Sequence, residues 1–201
     1  MQLHTYKKGA FGGYGDGAQW RTYLPQKVTH AKLSYDLKFG LGFDFMKGGK
    51  LPGLAGGSGE RGPHSAVAGG QKATGTNGWS ARYMWREDGT AENYVYHVDQ
   101  PGIYGHRLKW KINGEEFKFI PDRWYHIETE LSLNTPDKAD GVIRTWVNGE
   151  LVMEKNDFRF RTIPGLEIDS FLFSTFFGGG DSSWAPQKDE VIFYDNFLLI
   201  D

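Results

Sequence analysis

The sequence predicts an all-β chain: a single domain spanning residues 1–201, built as an antiparallel sandwich or β-jelly roll. Three observations carry this reading. Apolar and polar residues alternate with period two in several separate runs, as in strands with one buried face. The chain holds 28 glycines and is 15% aromatic, a mix that suits strands joined by tight turns. No long segment repeats with the helical period, so nothing separates the strands as helices would. At 201 residues, such a domain buries about 70% of its unfolded surface.

The first clear strand is AKLSYDLKF (31–39), with Leu33, Tyr35, Leu37 and Phe39 on one face and Lys32, Ser34, Asp36 and Lys38 on the other. The next stretch, 47–78, breaks the rhythm. It is about one-third glycine and too long for a simple strand connection, so it is expected to form a flap over a binding site. It carries Lys47, Lys50, Arg61, His64 and Lys72 against one acid, Glu60, a local positive charge that points to an anionic ligand beneath. Two runs then flank the turn-like REDGTAE and predict a hairpin centred on Asp88. Alternation returns in RWYHIETELSL (123–133), VIRTWV (142–147), FLFSTFF (171–177) and VIFYDNFLLI (191–200). Asn148-Gly149 between apolar arms is a strong hairpin signal.

Charge and composition exclude several classes. Lys and Arg total 23 against 25 Asp and Glu, a formal net charge of -2, so no overall field draws nucleic acid or an anionic membrane, and any anion must be held locally. Without cysteine there is no disulfide framework and no thiolate site. The opening MQLHTYKKGAF lacks the apolar core of a signal peptide, and no apolar run is long enough for a spanning helix. A monomer is expected.

The hairpin carries the chemistry. Residues two apart on a strand share a face, so Ser80 pairs with Arg82 and Tyr94 with Tyr96. A turn centred on Asp88 sets Arg82 opposite Tyr94 and Ser80 opposite Tyr96, a square of polar groups with Lys50 at one edge. No carboxylate pair is present, which argues against hydrolysis of a neutral sugar. The set suits β-elimination from a uronic acid, whose C5 proton is acidic only once its carboxylate is neutralised. Arg82 or Lys50 would supply that charge. A phenol beside cations is expected to ionise more readily, so one tyrosine would take the C5 proton and the same or the other would protonate the leaving oxygen. No cofactor is needed for this scheme. The plain alternative is a pair of half-buried tyrosines, with Arg82 matched to an acid such as Glu92.

Other residues are candidates around this patch. Lys47, Lys38 and His64 would bind substrate carboxylates or enter the cleft, and Trp184, after FFGGGDSS, would stack on a pyranose ring. His30 is a spare base, while His97 follows Tyr96 and should face the other way in a structural role. Asp195, with oxygens of the Gly15–Gly17 stretch, is a candidate for a structural calcium. Two other function classes fit in part. A non-catalytic carbohydrate-binding module would use Tyr94, Tyr96 and Trp184 as platforms. A β-glucan hydrolase is suggested by LEIDSF (166–171), but Ser170, Phe171 and Leu172 follow Asp169 where that motif needs another carboxylate.

The stretches YDLKFGLGFDFMKGGKLPGLAGG, SARYMWREDGTAENYVYHVDQPG, WVNGELV and FSTFFGGGDSSWAP resemble polysaccharide lyases of family 14, the alginate and glucuronate lyases of marine molluscs and algal viruses, and the related fungal glucuronan lyases of family 20. The likeness runs from about Tyr35 to Leu199. It implies a concanavalin-like jelly roll that cleaves polyuronates by β-elimination, is secreted or extracellular, and takes an anionic polysaccharide as partner. On that pattern the essential lysine falls on Lys50, the serine and arginine on Ser80 and Arg82, and the paired tyrosines on Tyr94 and Tyr96. Alginate rich in mannuronate is the first expected substrate and glucuronan the second.

Overall fold

The computed structural model describes residues 1–13, 15, 17–57 and 67–201. Among them the chain forms β1 (Gln2–Tyr6), β2 (Ala18–Val28), β3 (His30–Phe39), β4 (Gly48–Gly57), β5 (Gly78–Arg86), β6 (Ala91–Tyr96) and β7 (His106–Lys109). After these come β8 (Lys111–Ile112), β9 (Glu115–Glu116), β10 (Trp124–Ser132), β11 (Gly141–Val147), β12 (Glu150–Phe158), β13 (Ile168–Phe177) and β14 (Glu190–Ile200). They build two antiparallel six-stranded sheets, one in the order β1-β14-β3-β10-β11-β12 and the other β2-β13-β4-β5-β6-β7, with β8 and β9 paired as a separate two-stranded ribbon. Among the described residues no helix is long and apolar enough to cross a membrane.

The expected alternation decides what fills the space between the sheets. Leu33, Tyr35, Leu37 and Phe39 are all buried there, and Trp79, Ala81, Tyr83 and Trp85 come down from the opposite sheet to meet them. One end of the core is aromatic: Phe39, Phe43, Phe45, Trp85 and Phe177 meet largely edge to face, the arrangement ring quadrupoles favour. Polar side chains tie the sheets together at chosen points. Asn93 Nδ2 donates to Thr145 Oγ1 at 3.1 Å, and Tyr35 donates its hydroxyl to the Pro52 carbonyl at 3.3 Å.

The glycine-rich stretch departs from the sequence-based expectation. Its first part is β4, a buried strand in the middle of the second sheet, paired with β13 on one side and β5 on the other. Glycine serves close packing here. A Cβ at Gly49 would lie 2.1 Å from the Trp85 ring, and one at Gly53 would lie 2.0 Å from the Ala81 carbonyl oxygen. Pro52, which cannot donate to a ladder, sits where the register with β5 slips between Leu51 and Leu54. The expected hairpin is present: Ser80 faces Tyr96 and Arg82 faces Tyr94 across β5 and β6. Its turn is a 3-10 turn over Glu87–Gly89, with Asp88 at φ 57° and Gly89 at φ 76°.

Candidate active site

Alternation along β5 splits its side chains between two environments. Trp79, Ala81, Tyr83 and Trp85 enter the core, so Ser80, Arg82, Met84 and Arg86 stand on the outer face of the second sheet. On β6 the same rule puts Glu92, Tyr94 and Tyr96 on that face. Lys50 joins them from β4, opposite Met84 on one side and Phe176 on the other. The five residues expected to form a patch are therefore brought together, with Lys50 on a rigid strand and not on a flap.

The patch is cationic and short of counter-charge. Arg82 is 2% exposed; its Nη1 donates to Ser174 Oγ at 3.0 Å, and its Nε has no hydrogen-bond partner among the described residues. Lys50 Nζ stands 3.7 Å above the Tyr94 ring and 2.7 Å from Met84 Sδ. Neither cation makes an ion pair among the described residues. Glu92, the acid that would have neutralised Arg82, is taken by Arg86 at 2.6 Å and Arg107 at 2.9 Å. Burial, with the positive charges of Arg82 and Arg86, holds the Lys50 amine well below the usual lysine range. Burial likewise lowers the Arg82 guanidinium, and the phenols of Tyr96 and Tyr94 partly offset it.

Tyr94 is not the phenol that ionises more readily. Burial, and then the neighbouring Tyr96, raise its phenol well above the ordinary tyrosine value, outweighing the pull of Arg86. The two tyrosine rings meet edge to face at 5.6 Å. Lys50 Nζ and the Arg86 guanidinium both lie over the Tyr94 ring, at 3.7 Å and 5.8 Å from its centroid.

The later part of the expected flap does cover the sheet. Ser80 Oγ donates to the Val67 carbonyl at 2.6 Å, and the Gly70 N–H donates to Tyr96 Oη at 3.3 Å. Val67 and Ala73 pack on Met84, Tyr94 and Tyr96. Gln100 joins this cover to the loop beyond β6: its Oε1 accepts the Ala73 N–H at 3.4 Å and its Nε2 donates to the Gly102 carbonyl at 2.9 Å. Trp184 packs against the same cluster from the other end, and Lys47 Nζ donates to Ser183 Oγ at 2.5 Å beside it. Both stand beside the patch.

Three other candidates do not. Lys38 and His30 lie on β3 and Asp195 on β14, all in the first sheet. Lys38 pairs with Asp122 at 3.0 Å, His30 Nδ1 is 2.9 Å from Ser132 Oγ, and Asp195 pairs with the Met1 amine at 3.0 Å. Alternation reports a strand's two faces but not which sheet it joins, and these side chains fell to the sheet away from the patch. His64, and Asp16 of the calcium candidate, lie outside the described residues. Among the described residues no three His, Cys, Asp or Glu side chains gather as a metal would need. His97 turns inward as expected, its Nε2 2.9 Å from His106 Nδ1 and its ring against Phe158. Asp169 of the hydrolase-like motif is committed to structure: it pairs with Arg21 at 2.6 Å and accepts the Gly57 N–H at 2.9 Å.

The sequence reading missed Ser174, Met84 and the Arg86–Glu92–Arg107 group. Met84, Arg86 and Glu92 continue the spacing of Arg82 and Tyr94, so alternation alone would have found them. Ser174 and Arg107 depend on strand neighbours that are distant in sequence or follow a loop.

Comparison with known proteins gives a consistent answer. The sequence matches the family described as Polysaccharide lyase 14 over residues 1–197. The solved structure of alginate lyase Aly36B superposes with a TM-score of 0.87 at 28% identity, covering 99% of this chain and 80% of that one. The marine PL-14 alginate lyase from Aplysia kurodai superposes at 0.83 with 30% identity over 98% of this chain and 81% of the other. Alginate lyase vAL-1 from Chlorella virus gives 0.78 at 25% identity over 98% and 83%. The glucuronan lyase of the fungus Trichoderma reesei, 11% identical with a TM-score of 0.59, shares the fold. No protein with a curated description matches the chain.

Proposed function

The chain belongs to the polysaccharide lyase 14 family, and we propose from that premise that the outer face of its second sheet cleaves alginate, mannuronate-rich chains first and glucuronan second, by β-elimination. The observation that carries this reading is the pair of cations, Lys50 and Arg82, packed beside two phenols with no ion-pair partner among the described residues. Leaving charge uncompensated in a dry place costs several kcal/mol unless a ligand supplies its partner, and a uronate carboxylate is such a partner.

With that carboxylate held by Lys50 and Arg82, negative charge developing at C5 is stabilised where it forms. Tyr96 acts as the phenolate: its oxygen takes the C5 proton, the C5–H electron pair becomes the C4–C5 double bond, and the C4–O bond breaks. Tyr94, which burial keeps protonated, gives its proton to the departing oxygen. Both phenols return to their starting states by exchange with water. Ser80 positions the cover over Tyr96, and the entering chain displaces that cover. The protein works as a monomer outside the cell on an anionic polysaccharide.

The test is a time course of the near-ultraviolet absorbance of unsaturated uronate, with poly-mannuronate, poly-guluronate, glucuronan and a neutral β-glucan in separate samples. A rise with poly-mannuronate ahead of the rest is expected. No rise with any polyuronate overturns the reading, and binding without a rise would make the domain a carbohydrate-binding module.

A further inference from the structure

Glu92 stands on the patch face two residues before Tyr94, with a side chain only 1% exposed, and it binds two arginines at once. Arg86 reaches its Oε1 and Arg107 its Oε2, so the group carries one net positive charge. Each guanidinium has five N–H donors, so donors remain after Glu92 is satisfied. A buried acid at this place works as a clamp, fixing two long side chains that would otherwise pay rotamer entropy to hold a ligand.

The surroundings suit a sugar acid. The Arg86 guanidinium lies 5.8 Å from the Tyr94 ring and 5.8 Å from the Trp184 ring, placed between the phenol of the reaction and an indole at the end of the cleft. The arginines open on a cavity of about 440 Å³ that Trp184 and Lys47 also line. Glu87 and Asp88 of the hairpin turn line it too and can accept sugar hydroxyls. Arg82 and Arg86 are four residues apart on β5, about 13 Å along a strand, which is more than one pyranose ring. A carboxylate at Arg86 and Arg107 therefore belongs to a different sugar from the one held at Arg82.

We propose that the Arg86–Glu92–Arg107 group is a second carboxylate site, which grips a uronate away from the cleaved bond with Trp184 as platform for its ring. It rests on the lyase reading above and makes the enzyme favour long chains over short ones. Loss of a charged hydrogen-bond donor here reads out in KM and not in kcat.

The experiment compares wild type with Arg107→Gln and Arg107→Lys on poly-mannuronate, on a mannuronate trimer and on methyl-esterified polymer. Arg107→Gln is expected to raise KM for the polymer about tenfold with kcat within about twofold, to leave the trimer unchanged, and to bind the esterified polymer as wild type does. Arg107→Lys should fall between, because it keeps the charge and loses the fork. An unchanged KM for the polymer, or an equal loss on trimer or esterified polymer, overturns the proposal. If wild type makes no unsaturated product, the lyase reading fails, and calorimetric binding of poly-mannuronate to wild type and Arg107→Gln still decides the second site.

Discussion

Arg82 is a permanent charge placed where water is scarce and given, among the described residues, one hydrogen bond, to Ser174. On the proposed reading Arg82 is held for a ligand and works against the fold, so Arg82→Met should raise stability by about 1–3 kcal/mol, by removing a buried polar group with an unmatched donor, while turnover is lost. Denaturant titration beside the absorbance assay checks both, and a less stable Arg82→Met would show that the charge holds the sheet together. The two phenols make the complementary case. Tyr94→Phe and Tyr96→Phe each remove one oxygen and should cost about 10²-fold or more in kcat with the melting temperature kept within a few degrees; near-normal rates in both would remove the tyrosines from the mechanism. At this scale the sequence was informative, because period two on two strands is enough to put Ser80, Arg82, Tyr94 and Tyr96 on one face. What it could not show was environment. One of the two phenols is expected to ionise more easily beside cations, and burial drives Tyr94 the other way.

The strand β4 shows where local reading failed and why. KGGKLPGLAGG has the composition of a loop, yet its glycines are what allow a strand to lie tightly between β5 and β13. That need lies in the neighbours, Trp85 above Gly49 and the Ala81 carbonyl against Gly53, and neither is legible from the stretch itself. Gly53→Ala should therefore destabilise the protein by about 1–3 kcal/mol through overpacking and should also lower activity, since the bulge at Pro52–Gly53 adjoins Lys50. Thermal unfolding and the lyase assay test this together; a variant as stable and active as wild type would mean that the strand yields at no cost. The β5–β6 hairpin is the contrasting element, since its register follows from the turn centred on Asp88 and both strands were placed correctly.

For the molecule as a whole, fold class and the strands with period-two alternation were legible while the assignment of strands to sheets was not, which is why Lys38, His30 and Asp195 ended on the far side. Stability as a function of pH is also a property of the whole. His97, buried between the sheet and Phe158, has its pKa lowered from 6.5 to about 4, by burial first and by His106 next. The unfolded chain takes up that proton at higher pH than the folded one, so stability is full above about pH 6.5 and is lost as pH falls toward 4, on the order of 3 kcal/mol in all. Unfolding measured across this window should show the decline in wild type and a flatter line in His97→Gln; equal slopes would exclude His97 as the cause. A last consequence follows from where the proposed reacting groups sit. Lys50, Arg82, Tyr94 and Tyr96 stand on three adjoining strands inside a sheet, whereas Gly70, Ala73, Gln100 and Trp184, which wall the cleft, come from connections between strands. Connections tolerate insertion and exchange far better than interior strands do. Descendants of this scaffold are thus free to change diet by rewriting the connections while inheriting the reaction intact, and a graft of a relative's connection at 98–105 should alter which polyuronate is degraded fastest without altering the bond order of the product.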